Sequence, residues 1–103
     1  MNYANHIGWS DVNPYEVVRV VSDKTLEIRE MNAERDESWK PEIIPGGFLV
    51  HCVNQNSQKW IITSDESREV VRIRLSAKKG WQDKYGRRFQ LADKPVKFYD
   101  YNF

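Results

Sequence analysis

Three groups of residues in this chain have the side-chain types from which active sites and ligand sites are built. They are an adjacent His-Cys pair, a knot of carboxylates, and a row of cations interleaved with aromatics. His51 and Cys52 are neighbours, and a thiol beside an imidazole is the raw material of a nucleophile. Their surroundings, Phe48 to Val53, read as a strand, where adjacent side chains point to opposite faces. Cys52 then joins Phe48 and Val50 on an inner face as a core thiol, His51 points outward, and no pair forms. His6 falls in a polar start, residues 1–8, that reads as frayed.

Metal and phosphate chemistry fare no better. Two histidines and one cysteine occur at no ligand spacing of the C-x-x-C or H-x-x-x-H kind. Gly46-Gly47 lacks the Lys-Ser/Thr and the helix that complete a phosphate loop. Glu34, Asp36 and Glu37 have the chemistry to hold a cation, but three charges in a polar segment read as solvated loop charges. The expectation is a protein without catalytic residues, cofactor or metal, and not an enzyme.

The cations are more informative. Val70-Val71-Arg72-Ile73-Arg74-Leu75 alternates with strand period, which puts Arg72 and Arg74 on one face and Val71, Ile73 and Leu75 on the other. Lys78, Lys79, Lys84, Arg87 and Arg88 follow on neighbouring turns, a strip able to track a phosphate backbone or an acidic protein surface. Trp81, Tyr85 and Phe89 lie among them as candidate stacking platforms for unpaired bases. The same interleaving arises when aromatics fill a small core and cations coat it. Dedicated nucleic-acid modules are strongly basic, whereas this chain has a net charge of +1 and a pI near 7.8. A protein partner is therefore favoured over nucleic acid.

The elements that must position these residues are strands. Of the 103 residues, 40% are hydrophobic and 30% charged, and four Trp, five Tyr and four Phe supply bulk for one small core. Residues 1–48 carry five Lys/Arg against nine Asp/Glu, and residues 49–103 eleven against six, so the halves are oppositely charged. Ile7 to Pro14 reads as a turn-rich entry. Strands are expected at Tyr15–Val21, Thr25–Met31, Phe48–Val53, Lys59–Thr63, Glu69–Leu75, Trp81–Asp83 and Arg88–Leu91, joined by short polar turns. Residues 32–45 interrupt them as a long inserted loop, where Trp39 either pins the loop to the domain or anchors a partner. The fold class that follows is all-β, a small antiparallel SH3-like barrel formed by residues 1–103 as a single domain.

One cysteine, no apolar stretch of about 20 residues and no signal peptide point to a soluble protein of a reducing cytoplasm. At the C-terminus, Tyr99, Tyr101 and Phe103 share a face. They either close the barrel as a last strand paired with the first, or form an exposed hook for another protein or a second copy of the chain.

Ile7-Gly8-Trp9-Ser10-Asp11, Pro14-Tyr15-Glu16-Val17-Val18 and Phe98-Tyr99-Asp100-Tyr101-Asn102-Phe103 resemble a group of small proteins of bacteriophages, prophages and plasmids. The resemblance extends to Pro45-Gly46-Gly47-Phe48 and Gln58-Lys59-Trp60 and covers most of the chain. It implies a mobile-element protein of the bacterial cytoplasm and, by association, a non-enzymatic inhibitor of a host defence complex such as a CRISPR effector. Under that resemblance Glu34, Asp36 and Glu37 would face an arginine-rich groove, and Arg72, Arg74, Arg87 and Arg88 an acidic patch or a guide RNA. The alternatives are a nucleic-acid-binding barrel and a phage structural or assembly component that self-associates through the tail.

Overall fold

The computed structural model describes residues 2–46, 49–52 and 54–100, and of residues 43–46 and 49–51 the backbone alone. The chain runs through β1 (Tyr3–Ile7), β2 (Val12–Asn13), β3 (Tyr15–Ser22), β4 (Thr25–Glu30), β5 (Asn32–Arg35), β6 (Ile43–Gly46), β7 (Leu49–Cys52), a 3₁₀ turn at Gln55–Ser57, β8 (Trp60–Thr63), β9 (Val70–Ser76), β10 (Gly80–Gln82) and β11 (Arg88–Ala92). Strands β11, β10, β9, β4, β3 and β1 are neighbours in that order, and β1 pairs back onto β11. The result is a closed six-stranded antiparallel barrel with β2 as an extra strand, the small barrel expected from the strand pattern.

The core follows the period-two signal. Leu26 and Ile28 of β4 and Ile73 of β9 are buried, in contact with Ala4, Tyr15 and Phe89, while Val17, Val71, Trp81 and Leu91 pack around them. Glu27, between the two buried β4 residues, faces out directly opposite Arg72. Its carboxylate is 3.2 Å from Arg72 and 3.6 Å from Arg19 of β3, and such exposed pairs contribute little individually. Ile28 has no exposed surface, so Ile28→Val should cost about 0.5–1.5 kcal/mol. A thermal melt should record this as a fall of several degrees.

Residues 3–7 do not fray. Tyr3 to Ile7 pairs with Ala92 to Arg88 through five positions, and this ladder closes the barrel. Tyr-Ala-Asn-His-Ile has no β-branched run to announce a strand, but its small residue is what the site needs: Ala4 is fully buried where β1 meets the core. Asn5 is buried too. Its Nδ2 donates to Lys94 O (3.2 Å) and its Oδ1 accepts from Val96 N (2.9 Å), so the segment after β11 is tied down over β1. His6 packs 5.4 Å from the Phe89 ring and 6.4 Å from that of Tyr15. Burial and the nearby Arg87 charge hold its pKa below the ordinary 6.5.

Residues 32–45, expected as a loop, are strand at both ends. β5 pairs with β8, and β6 with β7, in two ladders apart from the barrel sheet. β5 follows β4 after a one-residue break at Met31, which is buried with its N–H on Pro14 O (3.0 Å). The principal extents are 51 × 29 × 21 Å and the radius of gyration is 15.7 Å. A compact chain of this length would give about 13 Å, so the molecule is elongated; the two ladders, separate from the barrel sheet, are called the arm.

Of the two fates expected for the tail, neither a ladder with β1 nor a hook is seen in its described part, which ends at Asp100. Phe98 makes a single bridge to Val12 of β2, and Gln58 accepts from Tyr99 N (2.8 Å) and donates to Tyr99 O (2.9 Å). Tyr101 to Phe103 lie outside the described residues.

Candidate functional site

Where β10 ends at Gln82, the chain turns through Asp83 to Arg87, while β9 continues beside β4 for four more residues, Ile73 back to Val70. A hollow of about 670 Å³ lies between that part of β9 and the turn. Arg72, Arg74, Lys84 and Arg87 line it, with Asp83, Glu69, Tyr85 and the apolar Val70, Val71 and Leu75.

Asp83 builds the wall. Its side chain is wholly buried, and Oδ1 accepts from the main-chain N–H of Tyr85 and of Arg87, each at 2.9 Å. Oδ2 accepts from Arg87 Nε. Burial pushes the Asp83 carboxyl up, but the Arg87 guanidinium and the two N–H donors more than offset this, and its pKa lies below the ordinary 3.8. Gly86, at φ +81°, supplies the left-handed residue that such a turn requires. Tyr85 is thereby thrust outward with 73% of its surface exposed, and Lys84 Nζ lies 5.1 Å from its ring centroid.

Of the expected basic strip, the fold gathers Arg72, Arg74, Lys84 and Arg87 round one hollow. Two of them are already engaged, Arg72 by Glu27 and Arg87 by Asp83. Arg74 is exposed and forms no ion pair among the described residues. Lys78 and Lys79 sit on the β9–β10 turn, their N–H groups directed to Ser76 Oγ. Arg88 lies on β11 beside Ile7 and Gln82. None of these three lines the hollow.

The three aromatics separate. Phe89 is buried against Tyr15, ring centroids 5.1 Å apart, and presents no face to a base. Trp81 packs against the core from its edge, half-buried. Of these three, Tyr85 alone is exposed for stacking.

The acidic loop is less acidic in space than in sequence. Glu34 and Glu37 are exposed, but Arg35 and Lys40 line a hollow together with Glu37 and Trp39. Asp36 Oδ1 accepts from Ser38 N (2.9 Å), and that hydrogen bond holds its pKa below the ordinary carboxylate value. Trp39 is buried, its indole N–H donating to Ser57 Oγ (3.2 Å). It pins the arm and is not available as an exposed anchor.

Cys52 is buried, with Sγ donating to Asn54 Oδ1 (3.4 Å); the expected outward direction of His51 lies outside the described residues. Among the described residues no group of three His, Cys, Asp or Glu is placed to hold a metal ion, and no helix is long and apolar enough to cross a membrane.

Two features escape the sequence patterns. Trp9, at the tip of the β1–β2 hairpin, is 91% exposed. The turn-forming run Gly8-Trp9-Ser10-Asp11 was the readable sign of a hairpin tip, and Gly8 N donating to Asp11 O (2.9 Å) closes it. Arg68 joins Asp65, Glu30 and Asn32 at the base of the arm, a junction that no local spacing announces.

Comparison with family models, curated protein sequences and solved structures gives no match to this chain.

Proposed function

We propose that this protein is a non-enzymatic binding protein whose hollow between β9 and the Asp83–Arg87 turn captures an acidic surface of a partner protein. One observation carries this: four cations line a single recess together with Val70, Val71 and Leu75, against two carboxylates. An exposed cation that forms no ion pair among the described residues, Arg74, and an exposed aromatic, Tyr85, are the side chains that interfaces favour. The sequence resemblance to mobile-element proteins adds the biological setting, inhibition of a host defence complex such as a CRISPR effector in the bacterial cytoplasm, and rests on those residues alone. A second reading, capture of single-stranded nucleic acid, is supported by Tyr85 standing beside Lys84.

Fluorescence anisotropy separates the two. A labelled, glutamate-rich peptide and single-stranded DNA and RNA of matched charge are titrated with the protein across a salt series. The acidic-protein reading expects the peptide to bind more tightly, and Arg74→Glu to weaken it about tenfold or more. Tighter oligonucleotide binding with a steep salt slope would instead establish phosphate contacts. Purified protein should also block target cleavage by the CRISPR effectors of its host, and Arg74→Glu should lose that effect.

A further inference from the structure

β9 is paired on both sides for only part of its length. β4 accompanies it from Val70 to Arg74, whereas β10 covers Arg74 to Ser76 and stops. Register fixes where the uncovered backbone groups point. Leu75 N donates to Lys24 O at 2.9 Å, so Leu75, Ile73 and Val71 direct their N–H and C=O toward β4. In an antiparallel ladder the intervening residues direct theirs the other way. Arg74 accordingly meets Gln82, but Val70 and Arg72 face the hollow. Among the described residues no ladder and no other hydrogen bond uses their two N–H and two C=O groups.

We propose that this open edge of β9 takes up an extended acidic peptide segment of a partner protein by strand addition, antiparallel to β9 and in line with β10. This deepens the acidic-surface reading above and rests on it. An incoming strand would place an outward side chain opposite Arg72, near Arg74 and Lys84, where a carboxylate is favoured. The next side chain turns inward over Val71, where an apolar one is favoured. From Val70 to Ile73, at about 3.3 Å per residue, there is room for a segment of about four or five residues.

The edge itself chooses among occupants. It offers acceptors as well as donors, which a peptide backbone satisfies and a phosphodiester, which only accepts, does not. A second copy of this chain pairing edge to edge would set Arg72 and Arg74 against themselves, which like charges oppose.

The test uses a capped pentapeptide alternating glutamate and valine, and the same peptide N-methylated at alternate residues to remove its edge-facing donors. Val70→Pro removes one N–H of the β9 edge at the first residue of the strand, a position that tolerates proline, and keeps every cation; Val70→Ala keeps the N–H. Strand addition expects the plain peptide to protect the Val70 and Arg72 amides from hydrogen exchange. It also expects at least tenfold weaker binding for the N-methylated peptide than for the plain one, and for Val70→Pro than for Val70→Ala, which shares the loss of the valine side chain but keeps the N–H. Equal binding of both peptides, with those amides unprotected, would overturn strand addition and leave acidic capture standing. No binding of either peptide, with or without oligonucleotide binding, would overturn both. If Val70→Pro does not fold, the N-methylated peptide on the wild-type protein decides alone.

Discussion

Asp83→Ala is expected to destabilise the protein by about 3 kcal/mol, with the Asp83–Arg87 turn losing its shape. The carboxylate satisfies the main-chain N–H groups of Tyr85 and Arg87 from a fully buried position, and an orphaned buried donor costs about 1–3 kcal/mol. The ion pair itself adds less, because the Arg87 side chain is 40% exposed. Asp83→Asn, which keeps an acceptor, should cost less than Asp83→Ala. The effect has a pH signature of known sign. Asp83 has a lower pKa folded than unfolded, so its contribution is fully present above the ordinary 3.8 and is lost as pH falls through the folded value. Denaturant midpoints of wild type and Asp83→Asn should therefore converge on acidification below pH ~4. His6 acts earlier and in the same direction. Its folded pKa lies below 6.5, so the wild type should begin to lose stability as pH falls below ~6.5. A gap between wild type and Asp83→Asn that stays constant down to pH 2 would remove the charge from this account. Peptide binding should fall with Asp83→Ala as well, since Tyr85, Lys84 and Arg87 all take their positions from this turn.

Trp39→Ala should separate the arm from the barrel. Truncating a buried tryptophan costs about 3–5 kcal/mol, and here most of that loss should fall on one part of the molecule. Trp39 is held by Ser57 through its indole and by Asp36 through its main chain, both within the arm. The expected result is faster amide exchange in the β5–β8 ladder, by a hundredfold or more, with the β4–β9 ladder of the barrel much less affected. Trp39→Phe keeps most of the bulk and loses the hydrogen bond to Ser57 Oγ, at about 1 kcal/mol. Equal acceleration in both ladders would show that barrel and arm unfold together. An unchanged arm would show that Trp39 does not pin it.

What could be read from the chain is what depends on near neighbours. The alternation of Leu26 and Ile28 with Glu27 and Arg29 sorts side chains between two faces whatever lies across the sheet. Glycines at 80 and 86 mark turns because the conformations there, φ +72° and +81°, belong to glycine wherever they occur. From those signals came the all-β class, the small barrel, the two faces of β9 and most strand positions.

Pairing partners decided the rest. β1 is a strand because β11 and β3 lie beside it, and nothing in Tyr-Ala-Asn-His-Ile foretells them. Asn32 to Arg35 reads as loop because its own residues are polar, yet β8 supplies a ladder that outweighs that preference. Phe89 and Tyr85, four residues apart among the same cations, look alike in sequence. One is core and the other solvent-facing because the Asp83 carboxylate ties the turn between them. The gathering of Arg72, Arg74, Lys84 and Arg87 round one hollow, away from Lys78, Lys79 and Arg88, follows from where β10 stops. Its end leaves backbone groups of Val70 and Arg72 unpaired among the described residues. A local pattern tells which way a side chain points, but which backbone groups remain without a partner is settled only when every strand has found its neighbour.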